Sequence, residues 1–116
     1  MKNLILLFLI FLGLSVQSQI IVNKVNVLIN PPEYISVYPF PGKIFDNKIN
    51  AGVNYGQPLI NIRNEVLESS DGTYIDFNSE IDMLNYFFKN NYEVFDTYFT
   101  SNSDGAKVIF LLKRKN

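Results

Sequence analysis

The stretch FNSEIDMLNYFFKNNYEVFDTYF, residues 77–99, contains the clearest helix of the sequence and leads directly into a strand. Ser79 can cap the helix, because its hydroxyl can accept a hydrogen bond from a backbone N–H of the first turn. Two acidic residues in that turn suit the positive end of the helix dipole. Asn90 and Asn91 can adopt the left-handed conformation that ends a helix. The stretch therefore predicts a helix over residues 80–90.

One face of this helix is expected to pack on the core. Ile81, Leu84 and Phe88 recur at the i, i+3 and i+7 positions, which is the spacing of a buried stripe. Tyr86 points almost directly away from that stripe, and Met83 lies well off it. We therefore expect both side chains to face outward as candidate partner contacts. The alternatives are that another element covers them, or that they are ordinary scattered surface residues.

Strands joined by hairpins account for most of the remaining chain. Residues 48–55 alternate apolar and polar side chains, which indicates an antiparallel strand with one face in water. Further strands are predicted from their β-branched and aromatic content at 20–29, 34–38, 60–67, 73–77, 92–99 and 107–112. The order β-β-β-β-β-α-β-β indicates an α+β fold, in which one helix packs on one face of a mainly antiparallel sheet.

The N-terminus has the pattern of a secretory signal peptide. Lys2 precedes an apolar run over residues 4–14, about 11 residues long, whereas about 20 are needed to span a bilayer. Val16 and Ser18 are small enough to flank a cleavage point. We predict that residues 1–18 are removed, and that 19–116 form a single domain exported to the periplasm or outside the cell. An uncleaved anchor and a buried core helix are the alternatives.

The composition excludes several kinds of chemistry. The chain has 116 residues, no His, no Cys, no Trp and a formal net charge of −1. It therefore lacks a Ser-His-Asp triad, a thiol nucleophile, a disulfide and an ordinary zinc or copper site. A charge near zero leaves no electrostatic footprint for nucleic acid. We predict no catalytic, metal or cofactor residues, no nucleic-acid partner, and no membrane association after signal removal.

Carboxylates are the remaining candidates for catalysis. Asp76, Glu80 and Asp82 cluster around the start of the helix, where two acids with separated pKa values could act as acid and base. Helix capping and dipole complementarity explain the same residues without catalysis. The acid–glycine pairs at 71–72 and 104–105 lack the ligand spacing of an EF-hand, which leaves them as turns.

A helix-to-strand signature runs through residues 71–99. Its form is Phe-x-Ser, two residues, Asp-x-Leu-Asn-Tyr, a few residues, then Gly-Trp-Glu. The matching residues are Phe77, Ser79, Asp82, Leu84, Asn85 and Tyr86. Asn91, Tyr92 and Glu93 stand at the Gly-Trp-Glu positions, where Asn keeps the left-handed capability and Tyr adds a hydroxyl that needs a partner. The chain thus resembles small exported bacterial proteins of unknown function, which implies a fold element and an exported location but no activity.

Surplus apolar residues point to a binding partner. In the last strand Val108, Phe110 and Leu112 form one apolar face, while Ile109 and Leu111 are apolar on the other. One helix covers one face, so the N-terminal segment, a second subunit or a partner must cover the other. We therefore expect a non-catalytic module that binds a protein of the cell envelope, such as an inhibitor- or immunity-type protein, or that forms a homodimer through an apolar sheet face.

Two other functions stay open. A carbohydrate- or small-ligand-binding domain would be favoured by a row of Tyr34, Tyr38 and Tyr55 in one groove. A carboxylate-dependent hydrolase would need two acids that converge in a concave pocket.

The processing site is tested by the intact mass of the exported protein. We expect a chain that begins at Gln19, because Val16 and Ser18 supply the small residues before the cleaved bond. A mass that still includes residues 4–14 would contradict both the signal peptide and the exported soluble form.

Overall fold

The computed structural model describes residues 19–43, 46–59, 65–102 and 105–116. In chain order its elements are β1 (Ile21–Val22), β2 (Val25–Asn26), a 3-10 helix (Val27–Ile29), β3 (Tyr34–Pro41), β4 (Ile49–Asn54), β5 (Leu67–Glu68), α1 (Glu80–Lys89), β6 (Tyr92–Asn102) and β7 (Gly105–Arg114). The strands form a three-stranded sheet of order β2-β1-β5 and a four-stranded sheet of order β4-β3-β7-β6. Each of these strand pairs is antiparallel. The predicted α+β class is confirmed.

A single core covers one face of the four-stranded sheet. The register places Ile35 opposite Leu112, and Val37 between Val53 and Phe110. Helix α1 and the three-stranded sheet pack on this same face, because their apolar residues join those of the sheet in one cluster. The buried members of the cluster are Ile20, Val22, Val27, Ile35, Val37, Ala51, Val53, Leu67, Phe77, Met83, Phe87, Tyr92, Phe110 and Leu112.

The prediction of one strand over residues 20–29 is wrong in detail. Asn23 and Lys24 have φ angles of 50° and 70°, and positive φ at both central residues is typical of a tight hairpin turn between β1 and β2. The Asn26 side chain then caps the 3-10 helix by accepting a hydrogen bond from the backbone N–H of Leu28. Two turns thus replace the extended chain that the β-branched composition favours.

The region 60–77 also differs from the hairpin expected there. Residues 60–64 lie outside the described residues. Strand β5 pairs with β1, whereas Tyr74 and Phe77 form only isolated bridges, to Glu68 and Ile49 respectively.

Strand β3 continues through Pro39 and Pro41, three residues beyond the end that the sequence predicts. Beyond Val37 the strand pairs with β4 alone, because its pairing with β7 ends there. One side of this part of β3 therefore has no ladder to complete, and a missing N–H on that side is tolerated.

Both ends of α1 follow the sequence prediction. The Ser79 hydroxyl accepts a hydrogen bond from the backbone N–H of Asp82 at 3.1 Å. Asn91, with a φ of 76°, takes the left-handed conformation just after the helix. This residue turns the chain directly from the helix into β6.

The predicted core face of α1 is wrong at Ile81 and Phe88, although Leu84 is half-buried and packs against the core. Met83 and Phe87 are completely buried, whereas Ile81 is 66% exposed and Phe88 is 53% exposed. The helix has two apolar stripes on nearly opposite sides, one through Met83, Tyr86 and Phe87 and one through Ile81, Leu84 and Phe88. Helical spacing is satisfied by both stripes, so periodicity alone cannot choose between them.

Two neighbouring phenylalanines test which face of α1 is buried. Phe87→Ala should lower the free energy of unfolding by about 3–5 kcal/mol, because its ring is fully buried. Phe88→Ala is the matched control and should cost no more than about 1 kcal/mol, since the ring is largely exposed. Urea denaturation measures both values. Equal losses for the two variants would mean that the helix packs by the other face.

Candidate protein-binding surface

The two residues predicted as partner contacts, Met83 and Tyr86, face inward. Met83 belongs to the core, and the Tyr86 ring packs edge-on against Phe77 and Phe87 with centroid distances of 5.6 and 5.7 Å. The Tyr86 hydroxyl donates a hydrogen bond to the backbone carbonyl of Gln19 at 2.7 Å. Their expected outward orientation is therefore wrong, and neither residue is available as a contact.

The end of α1 holds the N-terminal segment in place. The Asn90 side chain, only 8% exposed, accepts a hydrogen bond from the Gln19 backbone N–H at 2.9 Å. Its amide nitrogen donates to the Tyr86 carbonyl at 2.8 Å. Both backbone groups of Gln19 are thus bonded to the helix, and burial raises the pKa of the Tyr86 hydroxyl. This clamp positions the segment whose docking the sequence leaves open.

An apolar groove lies between α1 and β6, at the border of the core and on the helix face that carries Ile81 and Phe88. Ile81, Leu84 and Phe88 line it from the helix, and Val94 and Leu112 line it from the sheet. We call it the α1–β6 groove, and its volume is about 260 Å³. It also includes Asn85, Tyr92 and Glu93. The groove is the place where the exposed Ile81 and Phe88 of the helix meet the sheet.

The groove has a cation at one edge. The Lys115 ammonium lies 3.5 Å from the centroid of the Phe88 ring, within the range of a cation–π contact. Glu93 is the acidic residue among those that line the groove. The surface thus offers apolar side chains with one acidic side chain in the lining and one cation over Phe88, a combination that suits an apolar anchor with a polar rim.

Tyr92, which stands at the Trp position of the signature, is completely buried below this groove. Its hydroxyl donates a hydrogen bond to the Pro32 carbonyl, which satisfies the polar group that the sequence left without a partner. Arg114 also binds this loop, donating to the Pro31 carbonyl at 2.8 Å. The floor of the groove is therefore tied to the loop before β3.

A β-bulge in β6 changes which side chains share a face. Between Val94 and Asp96 the register with β7 shifts by one residue, at Phe95. The Phe95 ring lies 5.7 Å from the Tyr34 ring, and the Lys113 ammonium lies 5.7 Å from the Phe95 centroid, on the sheet face opposite the core. Strict alternation would put Phe95 and Phe99 together, but Phe99 pairs with Val108, which packs against the core.

The tyrosine row proposed for a sugar-binding groove does not form. Tyr34 and Tyr38 lie on the outer face of β3, whereas Tyr55 packs against the core. The Tyr38 ring covers Gly52, where a Cβ atom would approach the ring to 2.1 Å. The Lys107 ammonium lies 4.0 Å from the centroid of the Tyr38 ring. The ring is therefore not accessible to a ligand.

A polar cleft of about 710 Å³ lies beside the ends of β3 and β4. Its aromatic residues are Phe40 and Tyr74, and its polar side chains include Asn50, Glu68 and Asp76. Asn50 donates hydrogen bonds to the Asp76 carboxylate at 2.8 Å and to the Ile75 carbonyl at 2.9 Å. Asp76 therefore holds a buried amide in place.

The three acids at the start of the helix do not form one catalytic site. Asp76 lines the cleft, whereas Asp82 accepts a hydrogen bond from the Asn78 backbone N–H at 3.0 Å and so caps the helix. Glu80 is an exposed residue of the first turn. In the described part of the chain, no three acidic residues lie close enough to hold a metal ion.

Comparisons with known proteins identify no similar protein. No protein-family model matches the chain, and no curated protein or solved structure matches it. Within the described ranges, no helix has both the length and the apolar character needed to cross a bilayer.

The clamp on Gln19 predicts an effect for Tyr86→Phe. Loss of the hydroxyl removes its hydrogen bond to the partly buried carbonyl of Gln19. The free energy of unfolding should therefore fall by about 0.5–1.5 kcal/mol. Tyr74→Phe, at an exposed hydroxyl in the cleft, is the control and should be nearly neutral. Thermal and urea denaturation measure both. A neutral Tyr86→Phe would mean that Gln19 is not held by this bond.

The carboxyl group of Asp71, in the turn beside the cleft, should titrate at an unusually low pH. Hydrogen bonds from the Ser69 hydroxyl, and then from the hydroxyl and backbone N–H of Thr73, lower the pKa of Asp71 to about 2. These bonds should stabilise the turn fully above the unfolded pKa of about 3.9, and the contribution should be lost as the pH falls through about 2. Carbon-detected NMR titration measures the value. A midpoint near 4 would show that the turn is open in solution.

Proposed function

We propose that the protein is a small, exported, non-catalytic module that binds another protein of the cell envelope through the α1–β6 groove. The observation that carries the proposal is the pair of exposed apolar side chains of α1, Ile81 and Phe88, which line a groove against the sheet on either side of the half-buried Leu84. Contiguous apolar surface of this kind is typical of interaction sites.

The groove rests on a rigid support. Met83 and Phe87 fix the opposite side of the helix in the core, so that the exposed stripe is held in one orientation. The entropic cost of ordering this surface on binding would be small, because the helix is already in place. Burial of each large side chain would stabilise the complex by about 1.5–3 kcal/mol before the cost of association.

The groove also indicates what kind of partner segment it fits. An apolar side chain would occupy the space between Phe88 and Val94, and a neighbouring carboxylate would lie near the Lys115 ammonium. An inhibitor- or immunity-type protein of the envelope is one concrete form of such a module. The predicted signal peptide supports an envelope location, and a fold without cysteine needs no disulfide formation there.

A photocrosslinking amino acid at Asn85, an exposed residue of the groove, tests this function in cells that export the protein. We expect an adduct with a different envelope protein, and loss of that adduct in a Phe88→Asp background but not in Phe88→Leu. The same crosslinker at Thr73, which is exposed beside the cleft, is the positional control. No adduct from Asn85, or equal adducts from both positions, would contradict the proposal.

A second candidate function is saccharide or small-ligand binding in the polar cleft. The combination of two aromatic rings, Phe40 and Tyr74, with amide and carboxylate side chains favours it. NMR titration with neutral oligosaccharides should then shift the cleft resonances, and Tyr74→Ala should abolish those shifts. Unchanged spectra at millimolar saccharide would remove this candidate.

A further inference from the structure

We propose that two copies of the chain pair edge to edge through the regular part of β6, residues 96–102, with the two-fold axis at Phe99. The two strands would run antiparallel and join the four-stranded sheets of both copies into one continuous sheet. This surface is the free edge of β6, and the proposal goes beyond the groove and does not depend on it.

The edge of β6 is long and open. The strand covers Tyr92–Asn102 and stands last in the order β4-β3-β7-β6, so that within the described residues only one of its sides has a partner strand. Residues 93–101 are all exposed. An edge of this length presents a row of backbone donors and acceptors to any strand that can align with it.

The opposite edge of the same sheet is covered by the chain itself. Ile49 of β4 exchanges two backbone hydrogen bonds with Phe77, at 2.9 and 2.8 Å, and Gly52 bridges Val66. Exposed edges are commonly protected in this way to prevent pairing with other chains. Of the two outer edges of this sheet, the β6 edge is the one that no described segment of the chain covers.

The sequence of β6 has few of the residues that block edge pairing. Its letters YEVFDTYFTSN include no Lys, no Arg and no Pro. The bulge lies between Val94 and Asp96, and from Asp96 to Asn102 the register with β7 is regular. The seven residues after the bulge therefore form an uninterrupted edge that a second strand can follow.

A second copy fits this edge with no like charges opposed. With the axis at Phe99, Thr97 lies opposite Ser101 and Tyr98 lies opposite Thr100 of the other copy. Asp96 lies opposite Asn102, so its carboxylate does not meet another acid. Phe99 meets itself, and pairs of aromatic residues directly opposite each other stabilise antiparallel strands.

The paired segment carries exposed aromatic side chains that the dimer would remove from water. Phe99 is 77% exposed, and Tyr98 beside it is 42% exposed. Aromatic side chains bury large areas when they are covered, so the two rings of each copy would add apolar contact to the backbone pairing.

Substitution of Phe99 by a positive or a negative residue tests the pairing and its axis together. Sedimentation equilibrium of the purified protein should give the mass of two chains, whereas Phe99→Lys and Phe99→Glu should each give the mass of one, because like charges would then meet at the axis. An equimolar mixture of the two variants should recover the dimer. Phe88→Asp, on the groove, is the control and should remain dimeric.

The absence of native cysteine gives an independent readout of the same axis. A single cysteine in Phe99→Cys should form an intermolecular disulfide under mild oxidation, because residues at the axis face each other, and Thr73→Cys should not. Circular dichroism checks that each variant folds. The proposal would be overturned if the unchanged protein were monomeric at all concentrations, or if both charge variants remained dimeric. It would also be overturned if the mixture of the two variants stayed monomeric. None of these outcomes bears on crosslinking from Asn85, so the two proposals fail separately.

Discussion

Burial of Met83 and Phe87 is the interaction on which the rest of the structure depends. These two side chains attach α1 to the single core and thereby decide which of the two apolar stripes of the helix is left outside. The groove exists because Ile81 and Phe88 are on the remaining side. A rotation of the helix by less than half a turn would bury those residues and expose the present core face, which leaves no groove against β6.

The N-terminal hairpin and the end of α1 support each other. Gln19 is bonded through both of its backbone groups, to Asn90 and to Tyr86, and the hairpin that follows adds Ile20 and Val22 to the core. All of this packing lies on one face of the four-stranded sheet. The molecule is therefore asymmetric, because the core lies on one sheet face and the chain bonds to the β4 edge, whereas no described segment covers the β6 edge.

The local features of the fold could be predicted from the sequence because they depend on neighbouring residues. The cap at Ser79 and the left-handed Asn91 follow from backbone hydrogen bonding and conformational preference. The predicted wet face of β4 is wrong, because Asn50 and Gly52 are buried as well as Ala51 and Val53. The candidate site could be predicted only in part. Ile81 and Phe88 were recognised as one apolar stripe but assigned to the core, and Met83 and Tyr86 were assigned to the surface.

By itself, then, the sequence determined the α+β class, the limits of α1, and the absence of His and Cys chemistry. Tertiary structure alone decided the orientation of the helix, the split of residues 20–29 into a hairpin and a 3-10 helix, and the openness of the β6 edge. The physical reason is that these features depend on contacts between residues far apart in the chain, such as Gln19 with Tyr86 and Asn90. Local periodicity contains no information about which of two equivalent apolar faces will find such partners.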